Sequence, residues 1–249
     1  MPYETLATQK TPALIIYLLD ISTSMNKMIG EKRKIDMVMD ALTAAVRQMV
    51  FRSTKGGMLA ARYRIAILAY SNQVYDLLWG VKNIAEVAKL GLPEINPGKT
   101  TDTAMAFEAA EKILLEELPN LKDCPAPLIC HMTDGEFTGD DPEKVIRRIK
   151  QMSVPDGKVL VENIYIADNL CNELNGDIST WGGILPRTDL KSDYAAKLRS
   201  MSSPVPESYR KNMLESNYHL AQGAVMLFPG TNPELVALGF QMSAATPVR

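Results

Sequence analysis

Two aspartates and a group of hydroxyls stand out among the 249 residues, because they fall in polar loops at the ends of apolar runs or just before a helical pattern. Asp20-Ile21-Ser22-Thr23-Ser24 follows the apolar run Ala13 to Leu19. Thr100-Thr101-Asp102 precedes a helical pattern, and Thr133-Asp134-Gly135 closes the run that begins at Pro127. Taken singly, each stretch is an ordinary turn or helix cap. Taken together they supply two carboxylates, Asp20 and Asp134, with several hydroxyls and neither imidazole nor thiolate. Such hard oxygen donors suit Mg²⁺ or Mn²⁺ far better than zinc or copper. Buried side by side without a cation, the two carboxylates would repel, and at least one would have to take up a proton.

Rival chemistries fit less well. Gly98-Lys99-Thr100 looks like the end of a phosphate loop, but such a loop needs a glycine five residues before Gly98. That position is Pro93, which has no N–H and a fixed φ. A Mg²⁺-dependent phosphohydrolase of the haloacid-dehalogenase type is the alternative function. It needs Asp-x-Asp after the first strand, and here the second position is Ser22, with Lys99 as the nearby lysine. No Gly-x-Ser-x-Gly elbow occurs, and His131 and His219 have no evident nucleophile partner. Cys124, Cys130 and Cys171 are odd in number and lack CxxC spacing, which argues against both a disulfide framework and a zinc set. Cys130 and His131 lie in or beside an apolar run and read as core.

Composition narrows the partners. A net charge of −2 and 6% aromatic residues leave no basic, base-stacking footprint. Lys32-Arg33-Lys34 and Arg147-Arg148 are short, flanked by acids, and read as solvated helix faces. Ala13 to Leu19 soon meets Asp20, too early for a secretory core or a membrane span. A cytoplasmic protein with no nucleic-acid or membrane partner is expected.

The positioning elements follow from hydrophobic spacing. Ala13 to Leu19 is continuously apolar, as in a strand covered on both faces. Helical spacing predicts a long amphipathic helix from 34 to 51. Strands are predicted at 63–70, 127–132, 159–167 and 224–228, with 74–81 as an antiparallel partner of 63–70. Helices are predicted at 102–118, from Asp141-Pro142-Glu143 with Asp141 as the N-cap and Pro142 in the first turn, near 194–201, and from Thr231 to about Ala244. The alternation predicts an α/β fold, a doubly wound, mostly parallel six-stranded sheet with one antiparallel edge strand and helices on both faces. We expect one domain over 1–249, with its core at about 12–246 and an insertion at 169–193. Ligands bind beyond the carboxyl ends of strands in such sheets, where the three loops converge.

Asp-x-Ser-x-Ser after a hydrophobic strand, a later Thr opening a helix, and Asp in Thr-Asp-Gly resemble the von Willebrand factor type A (vWA) domain. The order of strands and helices from about Pro12 to Thr246 is also similar. That family carries a metal-ion-dependent adhesion site (MIDAS). The resemblance implies hydroxyl ligands at Ser22, Ser24 and Thr101, and carboxylates at Asp20 and Asp134 acting directly or through water. Thr101 rather than Thr100 matches the family's Thr-x-Thr-Ala run. It further implies a non-enzymatic interaction module whose metal, Mg²⁺ or Mn²⁺, accepts an Asp or Glu from a protein partner. Bacterial intracellular members are similar in layout, and some serve stress-response (tellurium-resistance-type) or chaperone-like ATPase systems. Thr23 departs from the family's frequent glycine, and the stretch Ser53 to Ala61 is absent from minimal members. Gly239 and Ala244-Ala245 suggest a final helix less firmly anchored than the helix at 34–51.

Overall fold

A computed structural model describes residues 2–93, 95, 98, 100–167, 170, 171 and 178–248. Lys99 and, within the expected insertion at 169–193, residues 169 and 172–177 therefore lie outside the described residues.

The apolar runs form the sheet. β1 (Ala13–Asp20) is buried along its whole length, and β2 (Tyr63–Tyr70) nearly so. Then come β3 (Val74–Asp76), β4 (Lys82–Asn83), β5 (Leu128–Thr133), β6 (Leu160–Tyr165) and β7 (Leu227–Pro229). Six strands stand in the order β7-β6-β5-β1-β2-β3, and β4 also pairs with β2. β1, β2, β5, β6 and β7 run parallel, whereas β3 and β4 are antiparallel to β2. The edge strand expected over 74–81 is thus cut short at Asp76, and the second antiparallel piece lies just beyond it at Lys82–Asn83. Asp76 accepts the N–H groups of Leu78 and Gly80, and the turn passes through positive φ at Trp79 and Gly80.

Helices cover both faces. α1 (Lys34–Ser53), α2 (Ile84–Leu90) and α7 (Pro233–Ser243) pack on one side, with α6 (Glu207–Glu215) against α7. On the other lie α3 (Thr103–Glu117), α4 (Glu143–Ile149) and α5 (Asp193–Met201). Each of the predicted helices is present. At the start of α4 the cap position is Pro142 rather than Asp141, whose carboxylate accepts the Glu143 N–H. The last strand begins at Leu227 rather than Ala224, because Val225 bridges Ile184 and Pro204 instead. Among the described residues, no helix is long and apolar enough to cross a membrane.

The end of the chain is tied down more tightly than small side chains suggest. Gly239 brings α7 onto β6: a Cβ there would lie 2.6 Å from Ile164 Cδ1. Ser243 Oγ and Tyr17 OH are 2.8 Å apart. The carbonyls that follow accept from Arg52 and Asn212. The small residues allow close approach, and polar bonds hold what little apolar area they bury.

Candidate metal centre

Chain order places the site. From β1 the chain passes to β2 on one side and later to β5 on the other. The strand order therefore reverses between β1 and β5, at the crevice where doubly wound sheets bind ligands. Asp20 ends β1 and Asp134 follows the last residue of β5.

Backbone bonds knit the surrounding loops together. Ile21 N–H donates to Tyr70 O, Gly98 N–H to Ile21 O (2.6 Å), and Asp102 N–H to Ser71 O. Thr138 brackets Thr101, its N–H donating to the Thr101 carbonyl (2.8 Å) and its hydroxyl accepting the Thr101 N–H. Gly98 has no room for a side chain, since a Cβ would fall 2.1 Å from Ser71 Oγ. The Gly98 N–H is spent inside the protein and is not free for a phosphate, which agrees with the poor fit of the sequence to a phosphate loop.

Four of the five residues singled out by sequence form one hydrogen-bonded cluster. Asp20, fully buried, accepts the Ser22 N–H on Oδ1 (2.8 Å) and the Thr133 hydroxyl on Oδ2 (2.7 Å). Ser24 Oγ donates to Asp134 Oδ1 at 2.6 Å. Because its proton is used there, Ser22 is the donor in the 3.0 Å Ser22–Ser24 pair. Thr101, the fifth, is buried beside Thr100, which is exposed. Its hydroxyl bonds to none of the other four. Burial pushes the Asp20 carboxyl up to about 6, against the hydrogen bonds from Ser22 and Thr133 and with a small push from Asp134.

This donor set fits a hard divalent cation. It is all oxygen, and hydroxyls that donate to carboxylates turn their lone pairs outward. A cation beside Asp20 would also relieve the cost of ionising a buried acid. Among the described residues no three of His, Cys, Asp and Glu gather as a metal set, so an ion at this edge would depend on the hydroxyls. The haloacid-dehalogenase reading needs a general acid two residues after Asp20. Ser22 has no carboxyl to offer.

Lys34 was not singled out by sequence. Its Nζ lies 2.8 Å from Asp134 Oδ2, and the two side chains are 12% and 1% exposed. The expectation that Lys32-Arg33-Lys34 forms a solvated face therefore fails at Lys34. The available signal was its place as the first residue of α1, where the helix dipole disfavours a cation.

Below the site, polar groups cross the α3-side face of the sheet. Tyr70 OH meets His131 Nε2 (2.7 Å), His131 Nδ1 meets Asn163 Oδ1 (2.8 Å), and Asn163 Nδ2 donates to Ser202 Oγ (2.9 Å). An amide oxygen only accepts, so Nδ1 carries the proton and Tyr70 donates to Nε2. Desolvation holds His131 down at about 4. Cys130 and His131 are core residues, as their setting in the sequence suggests.

No family profile matches the sequence, and no curated protein does. Solved structures do. Proximal thread matrix protein 1 from the mussel byssus is similar with a TM-score of 0.57 at 15% identity, over 94% of this chain and 48% of that one. The von Willebrand factor type A protein from Catenulispora acidiphila gives 0.54 at 12% identity, over 94% and 42%. The VWA domain of SpRpn10 gives 0.50 at 12% identity, over 91% and 93%. The chain thus spans about half the length, or less, of the first two. It has the fold of vWA domains.

Proposed function

We propose that the chain is a metal-dependent protein-interaction module, with Mg²⁺ or Mn²⁺ held by Asp20, Ser22, Ser24, Thr101 and Asp134. Bound there, the ion would supply a positive centre for an Asp or Glu carboxylate of a protein partner. The observation that carries this reading is the single hydrogen-bonded cluster of Asp20, Ser22, Ser24 and Asp134 at the strand-order reversal. Two carboxylates balance a divalent ion, and neutral hydroxyls complete the donors without cancelling its attraction for a further acid. Ser22 N–H and Thr133 orient Asp20, while Thr138 fixes the backbone of Thr101. No group in the cluster is placed as a general acid, so the reading is of a binder and not an enzyme. We take residues 1–249 as one domain of this kind. A bacterial cytoplasmic stress-response (tellurium-resistance-type) or chaperone-like ATPase system is the setting that the resemblance favours.

The test is titration calorimetry and thermal melting with Mg²⁺ against EDTA. Wild type should bind and be stabilised, and Asp20→Ala should lose both responses while remaining folded. A response that Asp20→Ala retains would remove the assignment.

A further inference from the structure

Lys34 stands at this edge without a part in the metal reading. It opens a long helix whose N-terminal dipole repels it, and its neighbour Arg33 is already offset by a two-pronged bond to Asp36. Lys34 finds its compensation across the molecule, at Asp134. The surface pair Lys32–Asp40 has side chains 54% and 65% exposed, so water screens it. The Lys34–Asp134 pair is almost dry. Asp134 is thereby shared, with Oδ1 taken by Ser24 and Oδ2 by the ammonium. A lysine that merely decorated a helix would not be steered, against the local dipole, onto a carboxylate of the metal cluster.

We propose that Lys34 is a tethered competitor of the divalent ion, balancing Asp134 in the metal-free protein and weakening metal binding at the cluster. The proposal rests on the reading of Asp20, Ser22, Ser24, Thr101 and Asp134 as a metal site. Its physics is charge counting. Without metal, two carboxylates face one ammonium, and Asp134 keeps a partner in a place where an unpaired buried charge would be expensive. When a divalent ion enters, it must either displace the ammonium from Oδ2 or share the carboxylate with it, and both oppose binding. The same ammonium leaves the loaded site with an excess positive charge, which favours an anionic partner group. Lys34 therefore makes the site weak for metal alone.

Mg²⁺ titration by calorimetry into wild type, Lys34→Met and Lys34→Gln tests this, with thermal melting in EDTA alongside. Methionine removes charge and donor together. Glutamine removes the charge and keeps a donor for Oδ2, so it guards against a folding defect. Both variants should bind Mg²⁺ about tenfold more tightly or better. In EDTA the methionine variant should melt below wild type, and saturating Mg²⁺ should restore it. Binding that appears only in the variants would support the proposal equally. If wild type binds and both variants bind no tighter, the lysine proposal is overturned while the metal reading stands. If none of the three binds, the metal reading fails and takes the lysine proposal with it.

Discussion

Glu162→Met is expected to stabilise the protein, although it replaces a charged residue in the middle of a strand. Glu162 lies on β6 opposite Cys130 and is fully buried on the α7-side face. Neither carboxyl oxygen has a hydrogen bond of ordinary geometry, and the Cys130 thiol beside it is only a weak donor. Burial drives its pKa well above the ordinary 4.5, so the native protein carries the neutral acid at pH values where the unfolded chain is ionised. Native protein then binds the extra proton, and stability is full below about 4.5 and falls as pH rises towards the native pKa. Methionine has a similar shape, titrates nothing and leaves no polar atom unpaired. Removing a buried unsatisfied group is worth about 1–3 kcal/mol, or roughly 2–12 °C in melting temperature for a chain of this size. Urea unfolding of wild type, Glu162→Met and Glu162→Gln from pH 4.5 to 8 separates the two contributions. Glutamine should remove the pH-dependent loss while retaining unpaired polar atoms, and methionine should remove both. A methionine variant less stable than wild type at pH 8, or a difference that does not grow with pH, would refute the reasoning.

His131 slopes the other way. Its native value of about 4 lies below the ordinary 6.5, so its contribution is present above 6.5 and is lost as pH falls towards 4. Asp20, raised to about 6, also slopes against it over the same interval. In a Glu162→Met/Asp20→Asn background, where both opposing slopes are gone, urea unfolding should therefore show about 3 kcal/mol lost. Thr101→Ala should weaken Mg²⁺ binding in calorimetry, whereas Thr100→Ala, on the exposed neighbour, should change it little. Gly239→Ala forces a methyl group against Ile164 and should cost about 1–3 kcal/mol in chemical denaturation.

The strands and helices that the sequence announced are those that bury one continuous stripe or run. Ala13 to Leu19 is apolar at every position, and α1 repeats its apolar face over several turns. α2 and α6 escaped sequence reading because each buries only two side chains, Ile84 with Val87 and Tyr209 with Met213. Two points do not define a period. The hydroxyl and carboxylate loops were legible because strand ends in a doubly wound sheet gather in one place. Lys34, Glu162 and Asn163 were not, since their roles depend on which residue faces them across a strand or from a distant loop. Charge in a sequence reads as solvent exposure until tertiary structure supplies a partner.

The parallel pairing of β1 with β5 also fixes when the cluster can exist. Ser24 and Asp134 are separated by 110 positions, and Asp20 and Thr133 by 113. Closing so long a loop, with β2 and α3 intervening, is a late and slow step in assembly. The unfolded chain therefore offers a cation only scattered carboxylates, unlike small metal-nucleated domains in which ligand capture drives folding. Divalent ions should act on the finished protein, lengthening its lifetime before unfolding and leaving the refolding rate nearly unchanged. A metal bound there would be a tenant of the fold rather than its template, and a chelator should then empty the site without collapsing the sheet.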